Sequence, residues 1–165
     1  MPAFRLIIGI FFAAILLLTG PLPAHAASSA AIRAIDDVQP TSRDYSGQSL
    51  VQAEFADARL EEANFSGADL RGAVFNGSNL KNANLHGIDF SNGIAYITNF
   101  SGADLTDAVL TSALMLKSSF RDAKVDGADF TDAVLDRQQI VALCKTATGT
   151  NPITGVDTRE SLGCS

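Results

Sequence analysis

The sequence is poor in the residue types from which most enzyme centres are built. It has only two histidines, one of them within the first 26 residues, and only two cysteines. It also lacks metal-ligand spacings, a glycine-rich loop after a strand and a Ser/His/Asp set. The other histidine, His86, lies in a polar place, where a lone histidine is usually solvated. We therefore expect no catalytic residue, no cofactor-binding residue and no metal site, and a protein that is not an enzyme.

Basic residues are scarce as well. The chain has 12 Lys and Arg against 18 Asp and Glu, a formal charge of −6. Arg5 is the only charged residue among the first 26, so residues 27–165 carry 11 − 18 = −7. An acidic surface would repel nucleic acid and anionic lipid. We therefore expect no nucleic-acid partner, and the charge by itself indicates solubility rather than a particular ligand.

Long apolar runs are missing except near the start, where 6–18 is apolar. This run follows Arg5 and precedes Ala24-His25-Ala26, the order of a secretory signal peptide. It is shorter than the roughly 20 residues that a membrane-spanning helix needs. We interpret 1–26 as a cleaved signal peptide, with an uncleaved anchor as the alternative. The expectation is an exported protein with no stable membrane anchor after cleavage.

What the sequence has in abundance is a five-residue repeat. In 62–90, EANFSGADLRGAVFNGSNLKNANLHGIDF, a large apolar residue recurs every fifth position, which is neither the strand period nor the helix period. The register continues through nineteen positions from Tyr45 to Leu135, with Ala95 as its smallest member, and includes every phenylalanine after residue 26. The expected core stack comprises Leu50, Phe55, Leu60, Phe65, Leu70, Phe75, Leu80, Leu85, Phe90, Phe100, Leu105, Leu110, Met115, Phe120, Val125, Phe130 and Leu135.

Each unit reads small, polar, large, polar, turn. The small and large residues alternate with polar ones, so both can point inward from a short extended segment before turn-forming residues bend the chain. The sequence thus predicts a hydrophobic tube. The pattern A-(D/N)-(L/F)-x-x resembles the pentapeptide-repeat family. That resemblance implies an all-β solenoid over 45–135, a right-handed quadrilateral β-helix of nearly five coils.

The segment 136–165 has the features of a helical cap. Asp136-Arg-Gln-Gln139 and Asp157-Thr-Arg-Glu160 each have the form of a helix N-terminus, and Gly149 and Pro152 separate them. The stretch LCKTATGTNPITGVDTRESLGC resembles the C-terminal cap of thylakoid-lumen pentapeptide-repeat proteins of cyanobacteria and chloroplasts. This likeness implies a lumenal location, with the periplasm as the alternative. Residues 27–44 are interpreted as an N-terminal segment that contains a short capping helix.

Both cysteines, Cys144 and Cys164, lie in this cap, in a chain predicted to reach a compartment where disulfides persist. A bond between them would close a loop of about 20 residues and contribute about 3 kcal/mol in the chain-entropy model. We expect it to link the two cap helices. The alternative is a redox-responsive pair, whose reduction would loosen the cap and expose the last coil, 125–135.

Residues twenty apart should stack on the same side of the tube. Three of the four resulting columns are polar or acidic, and the fourth reads Glu54, Val74, Ile94, Leu114, Val134. An apolar strip on a polar rod indicates a contact surface. The candidate interaction patch comprises Val74, Ile94, Tyr96, Ile97, Leu114 and Leu116. Two alternatives remain: a terminal segment covers the strip, or Gly93 and Ala95 mark a bulge with Tyr96 tucked inside.

These features together predict a non-enzymatic, exported interaction or scaffold module. Its partner would be an unidentified protein, including a second copy of the chain. A redox switch through the two cysteines is the second hypothesis. The family also contains acidic DNA mimics that protect gyrase, and this third hypothesis is disfavoured because the signal peptide would place the protein away from gyrase.

Overall fold

The repeat forms a four-sided coil in the computed structural model of the protein, which describes residues 43–165. The predicted signal peptide, 1–26, lies outside the described residues. So does the predicted N-terminal segment, 27–44, except for Arg43 and Asp44. Asp44 bridges to Asn64, so the coil includes this residue, which lies one position before the predicted boundary. Within 43–165, no helix has the length and apolar character needed to cross a membrane.

Four columns of parallel bridges run along the coil, and each bridged residue pairs with the residue twenty positions later. The first side is 44-64-84-104-124, the second 49-69-89-109-129, the third 54-74-94-114-134 and the fourth 59-79-99-119. Each side holds one bridged residue per coil instead of a longer strand. Twenty residues therefore make one coil, and five make one side.

A tight turn ends each unit and explains the period of five. The amide of the small residue donates to the carbonyl of the large residue three positions earlier, as Ala53 does to Leu50 at 3.1 Å. The second residue of each turn between 45 and 133 has a positive φ, from 54° at Asp57 to 70° at Gly102, and the first does not. This is the type II turn, which favours Gly and tolerates Asn and Asp. Ile97, with φ 56°, is the only β-branched residue at this place in those turns.

The Asp or Asn of the repeat caps the corner that follows it. The side-chain oxygen accepts a hydrogen bond from the backbone N–H two residues later. Asn64 accepts from Ser66 at 3.1 Å and Asp104 from Thr106 at 3.1 Å. Such local bonds stabilise turns. The fold itself therefore favours Asp or Asn immediately before each large residue.

The large residues fill the tube, as the sequence predicted. Every register position from Phe55 to Phe130 is at most 9% exposed. The ring of Phe75 stacks on Phe55 at 4.9 Å and meets Phe65 edge-on at 5.7 Å. Leu50 and Leu135 are only half-buried, which corrects their assignment to the buried stack. Among residues 43–165 they lie in the first and last coils, each of which has a neighbouring coil on one side only.

The tube keeps its register at Ala95, so the alternative of a bulge at this point is wrong. Val74, Ile94 and Leu114 bridge in sequence past this point. Tyr96 is half-buried on the outside instead of inside the tube. The ring of Phe90 contacts that of Phe75, the register residue one coil before Ala95, at 5.7 Å. That orientation requires glycine at position 93, because a Cβ there would lie 2.3 Å from the Phe90 ring.

Two short helices follow the coil. Helix α1 spans Arg137–Leu143 and helix α2 spans Thr158–Ser161. The backbone N–H of Asp136 donates to the side chain of Gln139, and the Asp157 carboxylate accepts from the amides of the first turn of α2. These are the two helix starts that the sequence indicated. Leu143, Ala147 and Leu162 are buried beneath this cap.

Asn151 ties the cap to the coil through its buried side chain. Its Nδ2 donates to the carbonyls of Asp107 at 3.1 Å, Ala108 at 3.3 Å and Gly127 at 2.8 Å. Its Oδ1 accepts from the Ile153 amide at 2.9 Å. A buried amide satisfied on both sides fixes the position of the segment that carries it. Sequence analysis missed this residue, because Asn151 precedes Pro152 and resembles an ordinary turn residue.

Candidate interaction surface

The apolar column predicted from the sequence lies on the third side of the coil. Val74, Ile94, Leu114 and Val134 follow one another through parallel bridges. Ile94 is 37% exposed and Val134 44%, while Val74 and Leu114 are half-buried. These four residues are called the aliphatic strip below. The structure therefore places the strip on the outer surface in the part of the chain that it describes.

The remaining patch residues lie at the corner that follows this side. Ile97 is 55% exposed, and Tyr96 and Leu116 are half-buried. The amide of Ile97 donates to the carbonyl of Leu116 in the next coil at 3.2 Å. The fold thus brings all six candidate residues to one side and its adjoining corner. The alternative in which Tyr96 points inward does not occur.

This surface carries little charge. Across 91–97 and 111–117, the two stretches that cross the middle of the third side, Lys117 is the only charged residue. Its Nζ lies 5.4 Å from the centroid of the Tyr96 ring, a cation–π contact. The neighbouring Tyr96 side chain raises the pKa of Lys117, so the ammonium stays charged. Depletion of charge at the centre, with an aromatic residue and one cation at the edge, is typical of a protein interface.

The aliphatic strip occupies places where the fold favours Asp or Asn. Aliphatic side chains cannot accept the corner-capping hydrogen bond. At Tyr96 the backbone N–H is instead bonded to the side chain of Asn76 in the previous coil, at 3.0 Å. Outside the third side, Val109 is the one aliphatic residue in this position of the repeat, and it is only 7% exposed. An exposed aliphatic column is therefore not a requirement of the coil.

The other sides hold polar and charged contacts. The Arg71 guanidinium binds the Asp69 carboxylate through two hydrogen bonds, at 2.8 and 2.6 Å. These bonds lower the pKa of Asp69. Lys124 lies 3.2 Å from Asp104 on the first side. Partial burial tends to raise the pKa of Asp104, but hydrogen bonds from Thr106 and Lys124 outweigh it, and the net shift is downward.

The disulfide between Cys144 and Cys164 is formed, with 5.7 Å between the two Cα atoms. It joins the residue after α1 to the chain just beyond α2. Arg159 reinforces the link, because its Nη1 donates to the Cys144 carbonyl at 2.6 Å.

His86 is exposed on the first side. No group of three or more His, Cys, Asp or Glu in 43–165 is arranged to hold a metal ion.

Comparison with known proteins identifies the family. Eight copies of the model for pentapeptide repeats match residues 53–92 and 98–137. A solved pentapeptide repeat protein from the thylakoid lumen of Arabidopsis thaliana is 34% identical. The match covers 73% of this chain and 91% of that one, with a TM-score of 0.33. The chain belongs to the pentapeptide-repeat family, which confirms the resemblance drawn from the repeat.

Two curated Arabidopsis thaliana proteins match shorter parts of the chain. The thylakoid lumenal protein TL20.3, chloroplastic, is 74% identical over 42 residues, which are 26% of this chain and 15% of that protein. The thylakoid lumenal 15 kDa protein 1, chloroplastic, is 49% identical over 47 residues, 28% and 21% of the two chains. The chain thus matches about a fifth or less of the length of each relative. Both relatives are thylakoid lumenal proteins.

Proposed function

We propose that the protein is a non-enzymatic interaction module of the thylakoid lumen, with the aliphatic strip as its docking surface. The lumenal location is supported by the two thylakoid lumenal relatives and by the predicted signal peptide. The family is built on a repeat solenoid rather than on a catalytic centre. Nearly five right-handed coils closed by the helical cap would make a rigid rod about 20 to 25 Å long.

One observation carries this proposal: the strip is aliphatic and exposed where the coil itself favours Asp or Asn. Ile94, Ile97 and Val134 expose 37%, 55% and 44% of their surface. The backbone of Ile94 is bridged on both sides, to Val74 and Leu114, and Val134 is bridged to Leu114, so the surface is already in place before a partner arrives. Little ordering entropy is lost when such a preformed surface binds.

The partner expected from this chemistry is a protein that presents an apolar and nearly uncharged face. A second copy of the chain meets the description. In an antiparallel pair, Val74 would face Val134 and Ile94 would face Leu114, so the strip is complementary to itself. Because residues 27–165 carry a charge of 11 − 18 = −7, two copies repel each other elsewhere. The third side is where that repulsion is weakest.

The test is the double substitution Ile94→Glu with Leu114→Glu. The matched control is Val141→Glu with Ile153→Glu, which adds the same charge at cap residues that are 56% and 73% exposed. Sedimentation velocity measures self-association, and affinity capture with cross-linking from isolated lumen measures association with other proteins. We expect both double variants to keep the wild-type thermal unfolding midpoint and only the strip variant to lose the interaction. If the strip variant sediments and captures proteins as the wild type does, the strip is not a docking surface.

A redox role for the Cys144–Cys164 bond is the second candidate. Both cysteines are half-buried, so a reductant can approach a bond that joins the two cap helices. Reduction would then loosen the cap over the last coil. The reduction potential decides between a switch and a structural bond. A value far below the poise of the compartment indicates a structural bond alone.

A further inference from the structure

A groove of about 620 Å³ lies between α1 and the last coil. Residues 120–126 form one wall, and Gln138, Gln139, Ala142 and Leu143 with the chain just after α1 form the other. Phe120 and Val125 give the floor its apolar character. A groove of this size is large enough for a short peptide segment. It lies on the end of the coil and not on the aliphatic strip.

The wall of this groove that the coil forms is a backbone edge that would normally be hydrogen-bonded to the next coil. One coil earlier, the amides of Phe100, Gly102 and Leu105 donate to the next coil at 2.8 Å each, and the carbonyl of Ala103 accepts from Lys124 at 2.9 Å. Those four bonds hold successive coils together. In the last coil the chain turns away at Asp136 into α1 and supplies no further strand.

The four equivalent groups of the last coil are unpaired. The amides of Phe120, Asp122 and Val125 and the carbonyl of Ala123 have no hydrogen-bond partner among residues 43–165. Phe120 and Ala123 are each 9% exposed and Val125 only 1%, so the edge lies within the groove. Unpaired donors and acceptors in a row form a template for another strand.

The cap forms hydrogen bonds with the coil on both sides of this gap. On the N-terminal side, the Ser118 carbonyl accepts from the Gln139 side chain at 2.6 Å. On the C-terminal side, the Gly127 amide donates to the Thr148 carbonyl at 2.8 Å and the Phe130 amide donates to Ser161 Oγ at 3.0 Å. The open stretch 120–125 is therefore a window between paired segments. A strand of about two repeat units would fill it.

We propose that this groove binds an extended segment of a partner protein, with large apolar side chains, by β-augmentation. The segment runs parallel to 118–126 and accepts from the three free amides. It donates one bond to the Ala123 carbonyl, and its large apolar side chains reach the floor. The rim carries Arg121, Lys124 and Lys145 beside Asp122 and Asp126, and Lys124 is bonded to Asp104 at 3.2 Å. These charges balance, so the selection comes from the free backbone groups and from the apolar floor.

A synthetic peptide that copies residues 98–106, TNFSGADLT, is the probe, because in the coil this stretch makes the same four bonds to the coil before it. Its carbonyls accept from the amides of Leu80, Asn82 and Leu85, and the Asp104 amide donates to the Ala83 carbonyl. The full chain is titrated with the peptide up to about 1 mM. Amide hydrogen exchange by NMR follows Phe120, Asp122 and Val125. We expect saturable binding and slower exchange at these three amides. A scrambled peptide should not bind.

Two changes isolate the groove and the backbone bonds. Ala142→Trp fills the groove from an exposed position of α1, and Val141→Trp places the same side chain next to it, outside the lining. N-methylation of the peptide Asp removes the donor to Ala123. We expect Ala142→Trp and N-methylation each to weaken binding about tenfold or more, and Val141→Trp to leave it unchanged. Thermal melts verify that both variants are folded.

Three results would overturn the proposal. The first is the absence of saturable binding, or equal binding of the scrambled or N-methylated peptide. The second is protection of the three amides in the peptide-free chain at every concentration, which means that the edge is already covered by the chain itself. The third is protection that rises with protein concentration and is lost in Ala142→Trp, which assigns the groove to a second copy instead of a segment of another protein.

Discussion

Phe75→Ala tests the claim that stacked large side chains stabilise the coil. Phe75 is 1% exposed, and its ring contacts three others: Phe55 at 4.9 Å, Phe65 at 5.7 Å and Phe90 at 5.7 Å. The loss of this burial together with the cavity left behind costs about 3 to 5 kcal/mol. A domain is stable by only about 5 to 15 kcal/mol. We therefore expect the free energy of unfolding to fall by a large fraction of its total.

The assay is urea unfolding of the oxidised protein, followed by far-UV circular dichroism. Phe75→Leu keeps most of the volume and should cost less than about 1.5 kcal/mol. Val141→Ala, at a residue 56% exposed, should change stability by no more than about 0.5 kcal/mol. If Phe75→Ala costs no more than Val141→Ala at an unchanged denaturant slope, the rings do not stabilise the coil as argued here.

Three further outcomes follow from the geometry. Gly93→Ala places a Cβ 2.3 Å from the Phe90 ring and should destabilise the coil by about 1 to 3 kcal/mol in urea unfolding. The same substitution should cost less in a Phe90→Leu background, where the ring is absent. Asn151→Ala removes three bonds to coil carbonyls, so hydrogen exchange of the cap should accelerate while exchange in the early coils stays unchanged. Arg71→Gln removes the bonds that lower the pKa of Asp69 below 3.8. The stability that these bonds give to the folded protein is present above pH 3.8 and is lost as the pH falls through the lowered pKa of Asp69. The variant should thus be less stable at neutral pH and equal to wild type in stronger acid; a constant difference at all pH values would contradict this.

The period of five determines most of the coil, because each large residue has to reach the same interior. The buried positions from Phe55 to Phe130 follow from that spacing. The bridges between residues twenty apart and the exposed aliphatic strip follow from the four-sided coil that the family resemblance implied. Sequence reasoning also located both helix starts and the two cysteines of the disulfide. In each case the signal is local or strictly periodic.

The features that sequence reasoning missed depend on packing between elements. The orientation of Phe90 into the space beside Gly93 depends on the ring below it, which the repeat does not specify. The half-burial of Leu50 and Leu135 depends on where coils lack a neighbour. Asn151 contacts residues more than forty positions earlier in the chain, and the groove exists because α1 departs from the coil at Asp136. A single periodic signal cannot locate any of these.

The most direct test of the coil is to delete one whole turn of it. Removing 61–80 takes out twenty residues and leaves every later register position in phase, whereas removing 61–82 takes out two more and shortens one side by two residues. Cooperative urea unfolding and the far-UV spectrum are compared for both chains. We predict that the first deletion folds cooperatively with a lower midpoint and that the second does not fold. Equal folding of the two chains, or failure of the first alone, would contradict a coil with twenty residues in each turn.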